Sequence, residues 1–398
     1  MNGDRPPDGA TMVTGAERGW AWVDHLRAGG STPWHDFEGT SDAPRAGARL
    51  LPGAIQLEVA RRLNALGGRD DTAHRDLVEA VLTASAPGRG QPDLELVGIH
   101  DGSPFGPPPV DPADLPAEEL VRMAVGVLAD RALARPAPSA VEPRRLPVPW
   151  RRGLHLVGDP VLAEHSRDAL RAAGRRPGLR SPVVVLHADD LPGMLADVWT
   201  WRVQHGVTPS WTWWLGHWAG RDELPPRVDL TAVAADWAAR VGRDRVRLVV
   251  GTPPAALLGA SPGPRPRPLS ADAVELLTRV NGVLRVLVTP ERHQRLLAQV
   301  LVPLLAEERG ARPAVPPRRR AWVRGRAERL VEELSRAGYP VHGDLASLLP
   351  GNGEESDATT AAGVLDVALR ALLRTRDQAP DQTRHEATGS AGAREVER

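Results

Sequence analysis

The sequence predicts an α/β protein in which a three-layer domain with a parallel sheet follows an N-terminal all-α domain. Three features lead to this prediction. Residues 16–134 have helical apolar spacing, residues 151–350 alternate short apolar strands with amphipathic helices, and a proline-rich stretch at 135–150 separates the two. Strands that alternate with helices at these lengths are typical of a parallel sheet covered by helices. A chain of 398 residues also exceeds the usual size of one domain.

The N-terminal part is predicted to be helical after a disordered start. Residues 1–15 are polar and rich in glycine and proline, which is typical of disorder. Helices follow within 16–134, and one of them has apolar side chains at helical spacing: Ile55, Val59, Leu63 and Leu66. Residues 135–150 are predicted to be a proline-rich interdomain linker. No internal repeat is evident in the sequence.

The second part of the chain alternates between predicted strands and predicted helices. The predicted strands are Leu154–Val157, Pro182–His187 and Val246–Val250. Helices are predicted at Leu162–Ala173, at Leu191–His205 and after a capping Asp229. Helices dominate from Ala271 onward. The segment 351–376 begins with a polar break at 351–357 and adds an extra amphipathic helix from Thr359, and residues 377–398 are predicted to be a disordered tail.

Composition excludes several kinds of chemistry. All 50 basic residues are arginine, so no phosphate-binding or Schiff-base lysine exists. The chain has no cysteine, which excludes disulfides and thiolate ligands. The 50 acidic residues balance the basic ones, and no apolar run approaches the roughly 20 residues of a membrane helix. We therefore expect a cytoplasmic protein with no nucleic-acid partner and no membrane span.

Read from Gly153 to Pro350, the chain resembles the actinobacterial branch of the sulfotransferase family. Two segments provide most of the resemblance: Leu269–Leu284, with an Arg-Val-Asn near its end, and Trp322–Pro350, which contains Gly-Tyr-x-Val-x-Gly-Asp-Leu. Asp190-Leu191 and Trp199 match the segment after the second strand. The resemblance implies a P-loop-like α/β fold and 3′-phosphoadenosine-5′-phosphosulfate as sulfuryl donor. It leaves the N-terminal helical domain unmatched.

The resemblance fails at the donor loop. The family reads Gly-x-Pro-Lys-[Ser/Thr]-Gly-Thr-Thr, which combines a helix N-terminus with a lysine to bind phosphate. The matching residues here are Gly158, Asp159, Pro160, Val161, Leu162, Ala163, Glu164 and His165. The family's arginine for the 3′-phosphate corresponds to Asp189. Each lost charged hydrogen bond is worth roughly 1.5–3 kcal/mol, so donor affinity falls by about three orders of magnitude or more. We expect no bound cofactor and a degenerate donor site.

Acids and imidazoles follow the first two predicted strands, and two interpretations stay open. In one, Glu164, His165, His187 and Asp189 bind a divalent cation for metal-assisted hydrolysis. In the other, which we prefer, no metal binds and acids such as Asp159 and Asp190 cap the helices that follow them.

Tryptophan is concentrated between residues 199 and 218, where six of the twelve lie. Indoles stack on sugars, so this region is a candidate surface for a glycan-like ligand. The candidate residues are His187, Asp190, Trp199, Arg202, Trp211, Trp214 and Trp218. The alternative is core packing, because Trp211, Trp214 and Trp218 share the spacing of one helix face.

Together these features predict a non-catalytic, sulfotransferase-like protein with a binding, scaffolding or regulatory role. Its partner would be a protein or a glycan-like ligand, and the N-terminal domain offers a route to oligomers. The alternatives are a divergent sulfotransferase that acts on a glycan-like or small-molecule acceptor, and the metal-assisted hydrolase.

Overall fold

The computed structural model describes residues 15–39, 51–67, 71–84, 94–99, 107–135, 153–174, 183–251, 263, 268–351 and 359–377. The predicted disordered ends 1–15 and 377–398 and the predicted linker 135–150 lie outside these ranges, except for their boundary residues. The chain divides into two compact units, one from residues 1–134 with 361–398 and the other from residues 135–360.

Most of the described residues of the first unit are helical. Its helices are α1 (Gly15–Arg27), α2 (Ala54–Gly67), α3 (Thr72–Thr83), α4 (Ala117–Ala134) and α13 (Ala361–Asp377). The extra helix predicted within 351–376 is α13, and it begins two residues after Thr359, where the predicted helical pattern starts. It packs along α4 and also contacts α2 and α3. Its buried face, which includes Leu365, Leu369 and Leu372, makes the C-terminal helix part of the N-terminal core.

The second unit contains a parallel sheet, which confirms the predicted α/β class. Its strands are β1 (Leu154–Gly158), β2 (Val183–Ala188), β3 (Val246–Val250) and β4 (Val341–His342), in the order β1-β2-β3-β4. All neighbouring pairs are parallel, with Gly158 beside His187 and His187 beside Val249. The two-residue β4 was not predicted.

Helices occupy most of the remaining described residues of this unit. They are α5 (Pro160–Ala172), α6 (Leu191–Gln204), α7 (Trp211–Ala219), α8 (Leu230–Val241), α9 (Ala271–Leu287), α10 (Pro290–Leu296), α11 (Val302–Ala306) and α12 (Pro317–Ala337). A π-helical turn, Leu297–Leu301, joins α10 to α11.

Helices lie against both faces of the sheet. On one face α5 packs on β1 and β2. The buried cluster there is made of Leu156, Ala163, Leu170, Val185 and Val249, the last of which lies on β3. Successive strand residues point to opposite faces, so His155 lies on the other side. Its ring is 4.7 Å from that of Trp237 in α8. This places the sheet between helices, as the apolar runs of its strands require.

The same set of hydrogen bonds, made by an asparagine and a histidine at the end of a helix, occurs in each unit. In the first, the Asn64 amide donates to the carbonyl oxygens of Leu26 (2.8 Å) and Gly30 (2.7 Å), where α1 ends. His74 Nε2 lies 2.8 Å from Asn64 Oδ1. Because that oxygen only accepts, the imidazole must be the donor. The asparagine thus closes the end of one helix and is held by a histidine from another.

The second unit repeats this arrangement with other residues. The Asn281 amide donates to Val203 O (2.8 Å) and Val207 O (3.2 Å) at the end of α6, and His293 Nε2 donates to Asn281 Oδ1 at 3.0 Å. A glycine with positive φ lies at the same place in both turns, Gly29 at 88° and Gly206 at 87°.

The surroundings of the two asparagines correspond as well. Trp22 contacts Trp34 at 5.3 Å between ring centroids, and Trp199 contacts Trp211 at 6.2 Å, with equal spacing along the chain. Trp34 Nε1 donates to Val97 O and Trp211 Nε1 donates to Ala314 O. The matched amide bonds are Ala54 N to Leu94 O and Ala271 N to Ala311 O. The conclusion that the chain lacks an internal repeat was therefore wrong.

Candidate functional site

The carboxyl ends of β1 and β2 form the edge where a nucleotide-binding fold holds its ligand. Gly158 has a φ of 87°, and a Cβ there would clash with the carbonyl oxygen of His187. A glycine is therefore required. The next amide, Asp159 N, donates to the same His187 oxygen at 3.0 Å. This bond fixes Asp159 at the start of α5.

Asp159 occupies the N-terminus of α5. Its side chain is fully buried, and its Oδ1 accepts from the amides of Val161 and Leu162, both at 2.9 Å. Pro160 begins the helix, as is common at that position. Backbone amides at a helix N-terminus are the donors that bind a phosphate in a P-loop. Here a carboxylate of the chain itself accepts from two of them.

Asp190 begins α6 in the same way. Its Oδ1 accepts from Gly193 N at 2.8 Å, and its Oδ2 lies 3.2 Å from Arg312 Nη2. A Cβ on Gly193 would be 2.6 Å from Arg312 Nη1, so glycine leaves the room that the arginine uses. The predicted capping by Asp159 and Asp190 is thus confirmed. Asp189, which follows β2, is partly buried.

The predicted cluster of Glu164, His165, His187 and Asp189 does not come together. Glu164 accepts from Arg167 (2.6 Å) and Arg171 (3.0 Å). Burial opposes ionisation of Glu164, but these hydrogen bonds prevail and lower its pKa. His165 Nε2 lies 3.0 Å from Gly263 O. Among the described residues no three His, Asp or Glu side chains are placed to share a metal ion.

His187 is a core residue, which corrects its assignment to a ligand surface. Its side chain is 0% exposed, and neither ring nitrogen has a hydrogen-bond partner among the described residues. Burial, followed by the positive charges of Arg167 and His165, lowers the pKa of His187 to about 4. The imidazole is therefore neutral near pH 7.

Two of the six tryptophans between residues 199 and 218 are core residues. Trp199 and Trp214 are 1% and 4% exposed, and their ring centroids lie 5.5 Å apart. Trp211 stacks on Trp214 at 5.6 Å. The packing alternative is confirmed for Trp199 and Trp214, because the α7 stripe faces inward. Neither residue belongs to an exposed ligand surface.

The outward side of α7 carries a different set of residues, here called the α7 outer face: Trp213, His217 and Arg221. Trp213 is 59% exposed and stacks on His217 at 5.6 Å. An Arg221 nitrogen lies 2.7 Å from the His217 ring, and Trp218 meets that ring edge-on at 5.3 Å. Arg202, at the end of α6, is exposed. The sequence spacing already indicated that Trp213 is exposed, because it does not share the helical spacing of Trp211, Trp214 and Trp218.

Comparison with protein-family models, with curated proteins and with solved structures finds no match for this chain in any of the three. No helix within the described ranges has both the length and the apolar character needed to cross a bilayer.

Proposed function

We propose that this is a non-catalytic, sulfotransferase-like protein whose second unit has lost its donor site and acts in binding. The observation that supports the proposal most directly is Asp159, whose buried carboxylate accepts from Val161 N and Leu162 N. In the family that the sequence resembles, the same turn binds the 5′-phosphosulfate. A donor would have to displace this carboxylate or tolerate its charge.

Electrostatics argues in the same direction. No lysine exists to offset the charge of Asp159, and Asp189 stands where the family has an arginine. A charged hydrogen bond that is lost costs roughly 1.5–3 kcal/mol, and a negative charge in its place adds repulsion. Arg167, on the first turns of α5, is already bound to Glu164 at 2.6 Å. The donor would therefore find a site in which the chain's own groups are already paired.

Calorimetric titration of the full chain with adenosine 3′,5′-bisphosphate tests the proposal. We expect no binding heat up to about 1 mM ligand, which corresponds to less than about 4 kcal/mol of binding free energy. Asp159→Ser is the matched variant, because serine keeps a cap acceptor without the charge. Micromolar binding by the unmodified chain would overturn the proposal, and sulfuryl-transfer assays would then follow.

A second candidate function is contact with a glycan-like ligand at the α7 outer face. The observation that favours it is the 59% exposure of Trp213, beside His217 and Arg221. An exposed indole offers a flat apolar face to a sugar ring, and nearby nitrogens donate to hydroxyl groups.

Quenching of tryptophan emission by a glycan panel tests this second candidate. We expect Trp213→Ala to weaken binding at least tenfold, or about 1.4 kcal/mol. Val286→Ala is the control, since Val286 is 80% exposed and apolar but lies on α9. Equal binding by both variants would refute a role for the α7 outer face.

A further inference from the structure

A polar groove of about 300 Å³ runs between α8 and α12. This is the lower end of the volume range of small-molecule sites, roughly 300–1,000 Å³. Its walls include Thr231 and Asp229 at the start of α8, and Arg326, Arg329 and Glu333 along one face of α12. None of its lining residues belongs to the carboxyl edge of the sheet or to the α7 outer face.

Arg326 has one buried N–H, that of Nε, without a hydrogen-bond acceptor among the described residues. Its Nη1 donates to the carbonyl oxygen of Asp222 at 3.0 Å, which fixes the orientation of the group. The side chain as a whole is 20% exposed. A buried N–H without an acceptor is costly, so an acceptor supplied from outside would be bound favourably.

The loop at Asp222 holds the two groove arginines in place. Asp222 has a φ of 50° and is the only non-glycine residue with positive φ in the described part of the chain. Its carboxylate accepts from Arg329 Nη2 at 2.9 and 3.0 Å and from Trp322 Nε1 at 3.0 Å. Arg326 Nη1 also lies 3.9 Å from this carboxylate. Two guanidinium groups thus share one negative charge, and a net positive charge remains for a ligand to engage.

Thr231 adds a second unpartnered group to the same groove. Its Oγ1 is buried and makes no hydrogen bond to the described residues. A hydroxyl can donate one hydrogen bond and accept others. Two buried polar atoms without partners, one on each wall, indicate a ligand that brings hydrogen-bond acceptors between α8 and α12.

We propose that this groove binds a small carboxylate that also carries a hydrogen-bond donor, of which a free amino acid is the simplest example. Because Arg326 Nε and Thr231 Oγ1 are buried in this structure, the two side chains rotate toward the groove on binding, and the carboxylate then accepts from both. A guanidinium edge matches the two oxygens of a carboxylate. Glu333 on the same wall attracts an ammonium group and repels a polyanion. The proposal does not depend on the state of the donor loop.

Titration of the full chain with the twenty amino acids, one at a time, and with inorganic phosphate tests the site. We expect at least one amino acid to bind at or below about 1 mM, or about 4 kcal/mol. Arg326→Gln should weaken this binding at least tenfold. Arg324→Gln is the matched control, because Arg324 is exposed on the same helix two residues earlier and does not line the groove.

Thr231→Val keeps the experiment decisive if Arg326→Gln fails to fold. Valine has nearly the shape of threonine and removes only the hydroxyl, so we expect binding to weaken several-fold in a folded protein. Three results would overturn the proposal. They are no binding by any amino acid, binding that both groove variants retain, and binding of phosphate alone.

Discussion

Replacing Asn281 by alanine tests the arrangement that closes the end of α6. The side chain makes three hydrogen bonds: two to Val203 O and Val207 O, and one from His293 Nε2. Asn281 is fully buried, and His293 is only 5% exposed. Val203 O keeps a hydrogen bond from Gly206 N at 3.0 Å. The variant therefore leaves Val207 O and the imidazole N–H of His293 without their asparagine partner and removes one of the two donors to Val203 O.

The expected loss of stability follows from that count. Each buried polar group left unsatisfied costs about 1–3 kcal/mol, and partial access of water to the exposed side of the turn reduces the sum. We expect the free energy of unfolding to fall by about 3 kcal/mol, which is a decrease in Tm of roughly 6–12 °C at 2–4 °C per kcal/mol. Urea unfolding followed by tryptophan emission and by circular dichroism measures it.

The repeat supplies the matched comparison. Asn64→Ala removes the same three bonds in the first unit, so we expect a similar loss there. Asn281→Asp keeps the size but removes both donors, and it should recover little. A loss below about 0.5 kcal/mol for Asn281→Ala would refute the reasoning, because surface substitutions change stability by that much.

Three further predictions concern other parts of the fold. Since the pKa of His187 is lowered to about 4 in the folded protein and is about 6.5 in an unfolded chain, the unfolded state binds the proton first as pH falls. Above about pH 6.5 the imidazole is neutral in both states, and the free energy of unfolding does not depend on its titration. Between about pH 6.5 and pH 4 the free energy of unfolding should fall by about 3 kcal/mol, and His187→Leu should flatten this part of a stability–pH curve. Gly158→Ala should reduce soluble expression and thermal stability, since its φ of 87° and the His187 carbonyl oppose a Cβ; an unchanged Tm would show that the turn relaxes. Truncation before Ala361 should expose the core of the first unit to proteolysis while the fragments of the second unit persist, because α13 packs on α4; equal protection of both units would contradict this.

Local chemistry in the sequence identified much of the second unit. Three aspartates, Asp159, Asp190 and Asp229, each precede a helix and cap it, because a carboxylate at that position satisfies amides of the same turn. The strand at Val246–Val250 was predicted with its observed bounds, since a continuous apolar run of that length suits a buried parallel strand. The two-residue β4 was missed because so short a segment pairs only when β3 is beside it.

The candidate site was less accessible to sequence reasoning. The sequence placed acids and imidazoles after two strands, but Glu164 turns to Arg167 and Arg171, and His187 is buried in the sheet. No sequence motif marks the groove between α8 and α12, because its walls come from residues almost a hundred positions apart. Convergence of that kind depends on how helices pack.

By itself the sequence determined the α/β class, the helix starts and the lack of lysine and cysteine chemistry, since these depend on residue type and on spacing within a few turns. The tertiary structure decided where α13 packs, which tryptophans are buried and that the asparagine arrangement occurs twice. The matched residues of the repeat are sparse along the chain, so local patterns do not reveal them. They correspond because each helix end leaves carbonyl oxygens that a side chain from a distant helix must satisfy.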